Sequence, residues 1–95
     1  PQPAAASNTP PESEQYRIQS ASVRTEAEAE AEWKRVADRN PDLLSRMTFS
    51  SQRFDAQNGS TYYRVQGGPL VDKILANLLC AQLTSRKVPC IVISP

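Results

Sequence analysis

The chain has 95 residues, 2 cysteines, no histidine and a formal net charge of +1 at pH 7, so it can form at most one domain. Without histidine it cannot use a cysteine–histidine catalytic pair, and two thiols that lack a Cys-x-x-Cys spacing make a poor zinc site. Cys80 and Cys90 are therefore expected either as a disulfide or as two buried free thiols.

The first 15 residues contain four of the 8 prolines, many Ala and Ser residues, and no large apolar residue. They cannot bury enough surface to offset the entropy of ordering, so we predict a disordered linker at 1–15 and a folded domain at 16–95. The chain begins with Pro and not Met, and we expect it to be part of a longer protein. No secretory signal or bilayer-spanning run is visible. The domain has 11 basic and 8 acidic residues, a bias too weak to indicate nucleic-acid binding.

The first predicted strand has a partial copy later in the chain. Residues 16–19 (YRIQ) and 63–66 (YRVQ) share one pattern, and each precedes a helix-like segment. Side chains alternate across a strand, so Arg17 and Gln19 are expected on one face and the apolar residues on the other. Each strand thus has an apolar face for a core and a polar face for solvent.

The first predicted helix starts at Thr25, which has Glu28 three residues later in the pattern of a capping box. Apolar residues then recur at helical spacing around Trp33, the expected anchor, until Asn40 and Pro41 end the helix. The glutamates are spaced by two and point around the helix, so a solvated face is expected and not a metal site.

The middle of the chain predicts a hairpin. A short connection at 42–45 precedes a predicted strand at 47–54, and Asn58-Gly59 supplies the positive φ of a tight turn. The strands at 47–54 and 62–66 are therefore expected to be antiparallel neighbours. The following Gly67-Gly68-Pro69 predicts a turn.

The last part of the chain predicts a second helix and a final strand. Asp72 is expected to cap a helix over 73–86, and residues 89–94 (PCIVIS) predict the strand. Leu75 and Leu78 widen the apolar face of this helix beyond what one contact requires.

The order strand, helix, strand, strand, helix, strand indicates an α+β fold. We predict a βαββαβ ferredoxin-like or RNP-like sandwich, with a four-stranded antiparallel sheet and two helices on one face. The first and third strands are then central, and the other face of the sheet stays uncovered. We expect this open face to carry Arg17, Gln19, Tyr62, Arg64 and Gln66.

In this order, the segments resemble the SPOR domain (sporulation-related repeat), a family of bacterial βαββαβ modules that bind peptidoglycan, in particular glycan strands stripped of stem peptides. The resemblance covers residues 16–93. It is carried by YRIQ, the spacing of Ala29 and Trp33, PDLL, YYRVQGGP, and a pair of cysteines with the second in CIV. Family members usually have glycine where this chain has Ser20-Ala21-Ser22, so the chain departs from the pattern there.

The resemblance implies a glycan site at Gln19, Ser22 and Tyr62, since family sites use a first-strand glutamine, a small hydroxyl residue after it and an aromatic residue opening the third strand. It also implies a disulfide between Cys80 and Cys90 and requires no cofactor. Finally, it implies a periplasmic or other extracytoplasmic location in a membrane-anchored or secreted parent enriched at the division septum. Residues 1–15 would then end a Pro-rich linker.

The chemistry of a glycan suits these side chains. Tyr62 is expected to stack on a sugar face, and the amides of Gln19 and Gln66 to bond acetamide groups. Removal of the stem peptide leaves a lactyl carboxylate, with which Arg17 or Arg64 is expected to pair. The predicted glycan-binding residues are Arg17, Gln19, Ser22, Tyr62, Arg64 and Gln66.

Two alternatives remain open at this point. An RNA-recognition module shares the topology, although the third strand lacks its Gly-Phe and Val-x-Phe signature. A domain that binds a protein partner through Leu75 and Leu78 is the other. An enzyme is not expected, because no Ser, Cys or Lys has an evident activating neighbour. We expect a monomeric domain without a nucleic-acid partner.

Overall fold

The computed structural model describes residues 15–95. The predicted linker at 1–15 lies, apart from Gln15, outside these residues and stays a prediction. The helices and strands are β1 (Tyr16–Val23), α1 (Glu26–Arg39), α2 (Pro41–Leu44), β2 (Thr48–Asp55), β3 (Thr61–Leu70), α3 (Lys73–Ser85) and β4 (Ile91–Ile93).

The four strands form one antiparallel sheet in the order β2-β3-β1-β4. As predicted, β1 and β3 are the central pair. A single core joins the inner face of the sheet, through Ile18 and Val65, to Trp33 of α1 and Leu83 of α3. The predicted α+β sandwich is confirmed, and the structure adds the short helix α2.

The first helix begins as its sequence predicts. Thr25 has extended backbone, and its Oγ1 accepts a hydrogen bond from the Glu28 N–H at 3.0 Å. The Glu28 carboxylate accepts one from the Arg24 N–H at 3.1 Å. The two bonds satisfy backbone donors at the helix start, and Trp33 lies on the buried stripe of α1.

The segment after α1 was predicted as a plain connection, but it forms α2. Pro41 at its start has the φ angle of a helix and needs no hydrogen-bond donor there. Leu44 is buried and Leu43 packs against the core, so both leucines cover the end of the core. Tyr63 of β3 also packs against the core, and Tyr16 at the start of β1 is half-buried.

The predicted turn at Gly67-Gly68-Pro69 is wrong, because these residues continue β3 to Leu70. The Gly68–Pro69 peptide bond is cis. A Cβ atom on Gly67 would lie within 2.9 Å of three ring atoms of Trp33. Glycine is therefore needed at 67 to let the strand pass under the indole, not to reverse the chain.

The second long helix also begins at its predicted cap. Asp72 has extended backbone, and its Oδ1 accepts a hydrogen bond from the Ile74 N–H at 2.6 Å. The inward stripe of α3 consists of Ala76, Cys80 and Leu83. On its outer side, apolar side chains are exposed at Ile74, Leu75 and Leu78.

A disulfide joins α3 to the segment that leads into β4. Cys80 and Cys90 are bonded, with their Cα atoms 5.1 Å apart. Because β4 has only three residues and pairs only with β1, this bond is the covalent tie that holds the edge of the sheet to the helix layer.

Candidate functional site

The face of the sheet opposite the helices carries polar and aromatic side chains from β1, β2 and β3, and isoleucines from β4. Directly paired residues in an antiparallel sheet project to the same side. Gln66 of β3 pairs with Gln19 of β1 and Ser50 of β2, and Arg64 pairs with Ser22 and Gln52. Further along, Tyr62 pairs with Phe54, and Gln19 also pairs with Ile91 of β4. We call this surface the open face.

A register shift in β1 decides which side Ser22 faces. The pairing with β3 slips by one residue between Gln19 and Ala21, so β1 contains a bulge there. Ser20 is buried and Ala21 packs against the core, so two consecutive residues face inward. Ser22 then returns to the open face. This bulge is where the chain departs from the usual glycine.

A groove of about 430 Å³ runs along the open face beside Tyr62. Its lining includes four of the predicted site residues, Gln19, Ser22, Tyr62 and Arg64. The other lining residues, which sequence reasoning missed, are Phe54, Ile91 and Ile93. The available signals were the pairing of Phe54 with Tyr62 across the predicted hairpin and the alternation of β4.

Two arginines stack on the aromatic rings of the open face. The Arg64 guanidinium lies over the Phe54 ring, 4.3 Å from its centroid. Arg24, which sequence reasoning also missed, lies 5.1 Å over the Tyr62 ring and donates from Nε to the Thr61 carbonyl at 3.2 Å. Such contacts fix the orientation of both rings and of the charged groups beside them.

Gln66 lies beneath the surface of the open face and not on it. It is only 2% exposed, and its Nε2 donates to Gln19 Oε1 at 3.2 Å and to Gln52 Oε1 at 3.3 Å. Because both neighbouring oxygens accept from Gln66, the amide NH₂ groups of Gln19 and Gln52 are left as donors. Gln66 thus supports the half-buried amide of Gln19 and the exposed amide of Gln52.

Arg17 lies on the open face but outside the Tyr62 groove. It lines a second, polar depression of about 260 Å³ together with Ser50, Ser51, Gln52 and Gln66. Its Nε is buried and has no hydrogen-bond partner within residues 15–95. The predicted site is thus split into two depressions, which Gln66 joins through its bonds to Gln19 and Gln52.

Within residues 15–95, neither Arg17 nor Arg64 forms an ion pair with a carboxylate. The four ion pairs of the described part of the chain join Lys34–Asp38, Arg35–Glu32, Arg53–Asp55 and Arg86–Asp42. Both open-face arginines are therefore free to pair with an anionic ligand.

Within residues 15–95, no group of three or more Asp, Glu, Cys or His side chains is arranged to hold a metal ion. The helices of this range are too short or too polar to span a membrane.

The chain is similar to a known protein family and to two known proteins. The family model of the SPOR domain matches residues 12–94. The uncharacterized protein RP066 of Rickettsia prowazekii (strain Madrid E) is 26% identical over 77 residues, which are 81% of this chain and 35% of that protein. This chain thus spans about a third of the length of that relative.

Among solved structures, the solution structure of the peptidoglycan binding domain of the B. subtilis cell wall lytic enzyme CwlC is similar to this chain. The TM-score is 0.56 at 22% sequence identity, and the match covers 90% of this chain and 94% of that one. At this level of identity the likeness shows a shared fold.

Proposed function

Because the chain belongs to the SPOR domain family, we propose that it binds peptidoglycan glycan strands through the open face of its sheet, without catalysing a reaction. The family membership confirms the resemblance predicted from the sequence. The observation that carries the proposal is a sheet face that no helix of residues 15–95 covers and on which amide, aromatic and arginine side chains converge. A shallow open surface suits a long polymer better than a closed pocket does.

The Tyr62 groove offers both kinds of contact that a sugar needs. Phe54, Tyr62 and Ile91 provide apolar surface for the C–H faces of the pyranose rings. Gln19 presents amide donors, because its oxygen is already bonded to Gln66, and these suit the carbonyl oxygen of an N-acetyl group. Ser22 adds a hydroxyl at the edge of the same groove.

A preference for stripped strands is the finer part of the proposal. An N-acetylmuramic residue without its stem peptide has a free lactyl carboxylate, and Arg17 and Arg64 have no carboxylate partner within residues 15–95. An attached peptide would replace that carboxylate by an amide and crowd the sheet. Stripped strands are thus expected to bind more tightly.

The same proposal includes a place for the domain. We expect it to act outside the cytoplasm, as part of a membrane-anchored or secreted parent enriched at the division septum. Family membership supports the extracytoplasmic location, and the disulfide suits an oxidising compartment. Septal enrichment is an expectation from the family resemblance, and we also expect the domain to be monomeric.

A pull-down on purified sacculi tests the function. The wild-type domain should co-sediment, and pretreatment of the sacculi with an amidase that removes stem peptides should raise the bound fraction. Tyr62→Ala removes the stacking ring, and Gln19→Lys replaces the amide, so each should weaken binding about tenfold, about 1.4 kcal/mol. Tyr62 is partly exposed, so Tyr62→Ala should leave the thermal melt nearly unchanged. Gln19→Lys also removes the oxygen that accepts from the buried Gln66 amide, so it should cost about 1 kcal/mol of stability while the domain stays folded.

Controls for this test lie on the far side of the molecule. Leu75→Ala and Gln82→Lys change exposed residues of α3 and should bind sacculi like the wild type. Unaltered binding by both open-face variants would contradict the proposed site. Salt-sensitive binding to RNA, with none to sacculi, would favour the RNA-recognition alternative.

A second prediction concerns the buried amide. Gln66→Leu removes the donor that holds Gln19 and Gln52, so both amides should lose their fixed orientation. Sacculus binding should fall several-fold although Gln66 is itself only 2% exposed, with a stability change of about 1 kcal/mol. The matched control is Gln82→Leu on the surface of α3. Equal binding by the two variants would show that Gln66 does not position the site.

A further inference from the structure

A second cleft lies on the helix side of the sheet, away from the open face. It has a volume of about 410 Å³ and lies between the C-terminal part of α1 and the turn that joins α3 to β4. Its polar lining includes Ser20, Arg35, Arg39, Asn40, Arg86 and Lys87. None of these residues belongs to the proposed glycan site.

The bulge in β1 leaves an unsatisfied hydroxyl at this cleft. Ser20 is only 7% exposed, and its Oγ is buried without a hydrogen-bond partner within residues 15–95. Nearby Asn40 is bonded to other groups, since its Nδ2 donates to the Val36 carbonyl at 2.8 Å and its Oδ1 accepts from Arg86 at 3.0 Å. An unpaired buried hydroxyl beside a cleft is unusual and points to a missing partner.

The charge of the cleft identifies the kind of partner. Glu32 holds Arg35 at 2.5 Å, and Asp42 holds Arg86 at 2.6 Å. The Arg86 guanidinium also lowers the pKa of Asp42, so that pair stays charged at neutral pH. Arg39 and Lys87 also belong to the cleft.

Arg39 and Lys87 have no ion-pair partner in the described part of the chain, so two cationic groups remain beside the free hydroxyl. Lys87 has a left-handed backbone with φ of 67°, and its N–H bonds the Thr84 carbonyl, so the tight turn fixes its position at the rim.

We propose that this cleft binds a phosphate group, either a free phosphate ester or the headgroup of an anionic lipid. A phosphate oxygen accepts from the Ser20 hydroxyl, and the remaining oxygens pair with Arg39 and Lys87. The cleft and the open face lie on opposite sides of the sheet, so the domain can hold a phosphate and a glycan strand at the same time.

NMR titration of the domain tests the site. Sodium phosphate, compared with sodium chloride at equal ionic strength, should give saturable shifts of the amides of Ser20, Asn40 and Lys87. Arg39→Gln with Lys87→Gln should weaken binding at least tenfold, and Ser20→Ala about threefold. Glycerol phosphate then represents a free phosphate ester, and phosphatidylglycerol vesicles represent an anionic lipid headgroup. The preferred source should displace inorganic phosphate at the lower concentration.

The matched control is Arg46→Gln with Lys73→Gln, which removes the same charge from exposed positions outside the cleft. It should bind phosphate like the wild type. Equal weakening by both double variants would mean a diffuse charge effect and would overturn the site. If Ser20→Ala changes the thermal melt but binds phosphate as tightly as the wild type, a water molecule and not phosphate satisfies the Ser20 hydroxyl. That result would also overturn the proposed site. Sacculus binding should be unchanged in all these variants.

Discussion

Gly67→Ala is expected to destabilise the domain by about 3 kcal/mol or more, the upper end of the range for an overpacked core. The new methyl group would overlap the Cη2, Cζ3 and Cζ2 atoms of Trp33, the last of these at 2.9 Å. The indole is rigid and packs in the core, so it cannot move aside without disturbing α1. Urea unfolding followed by the fluorescence of Trp33, the only tryptophan, measures the effect.

Two further variants separate this clash from a general loss of glycine. A Cβ on Gly68 would come no closer than 3.2 Å to Arg17 Cγ and the Tyr16 carbonyl oxygen, so Gly68→Ala should cost about 1 kcal/mol. Trp33→Phe removes ring atoms from the clash and should cost less in the Gly67→Ala background than alone. Additive effects, or equal costs at both glycines, would contradict the explanation.

The contact between Gly67 and Trp33 also shows where sequence reasoning fails. Locally, Gly67-Gly68-Pro69 has the composition of a turn, and nothing near it indicates a strand. Glycine is needed at 67 because of Trp33, which is 34 positions away in the sequence. The Trp33 ring occupies the space where the side chain of any other residue would lie. Alternation and helical spacing, which need no distant partner, correctly predicted the βαββαβ order and both helix caps.

The site shows the same division between local and distant information. Arg17, Gln19, Tyr62 and Arg64 reach the open face because side chains alternate along the parts of β1 and β3 that carry them. Ser22 reaches it because a bulge shifts the register, and no pattern in the sequence marks that bulge.

The sequence pattern also did not predict that Gln66 is buried. It results from two neighbouring glutamines, Gln19 and Gln52, that close over it. One of them, Gln52, lies on β2, a different strand from Gln66. Burial at the centre of a sheet depends on side chains from three strands at once, and this is more than alternation within one strand can predict.

The disulfide has consequences for the groove because of where it lies. It joins Cys80 of α3 to Cys90, and the next residue, Ile91, begins β4. This edge strand has three residues and brings Ile91 and Ile93 to the Tyr62 groove. A strand of this length forms few hydrogen bonds with β1. The disulfide therefore helps to keep β4 paired with β1.

Removing the disulfide with Cys80→Ala and Cys90→Ala is therefore expected to lower the free energy of unfolding by about 3 kcal/mol, the loop-closure value for a sequence separation of 10 residues. Sacculus binding should fall as well, because β4 would leave the groove more often than the rest of the sheet unfolds. Hydrogen exchange should show loss of protection at Ile91 and Ile93 first, with α1 protected to the global limit.

As a control, the oxidised wild type is compared with the wild type treated with reductant. The reduced protein should match the double variant in stability and in binding. Gln19→Lys is the complementary control, since it should weaken binding with the disulfide intact and with normal exchange at β4. If the double variant binds sacculi as well as the wild type under conditions where it is folded, β4 does not contribute to the groove. In that case binding would depend on Gln19 and Tyr62 of the central strands alone.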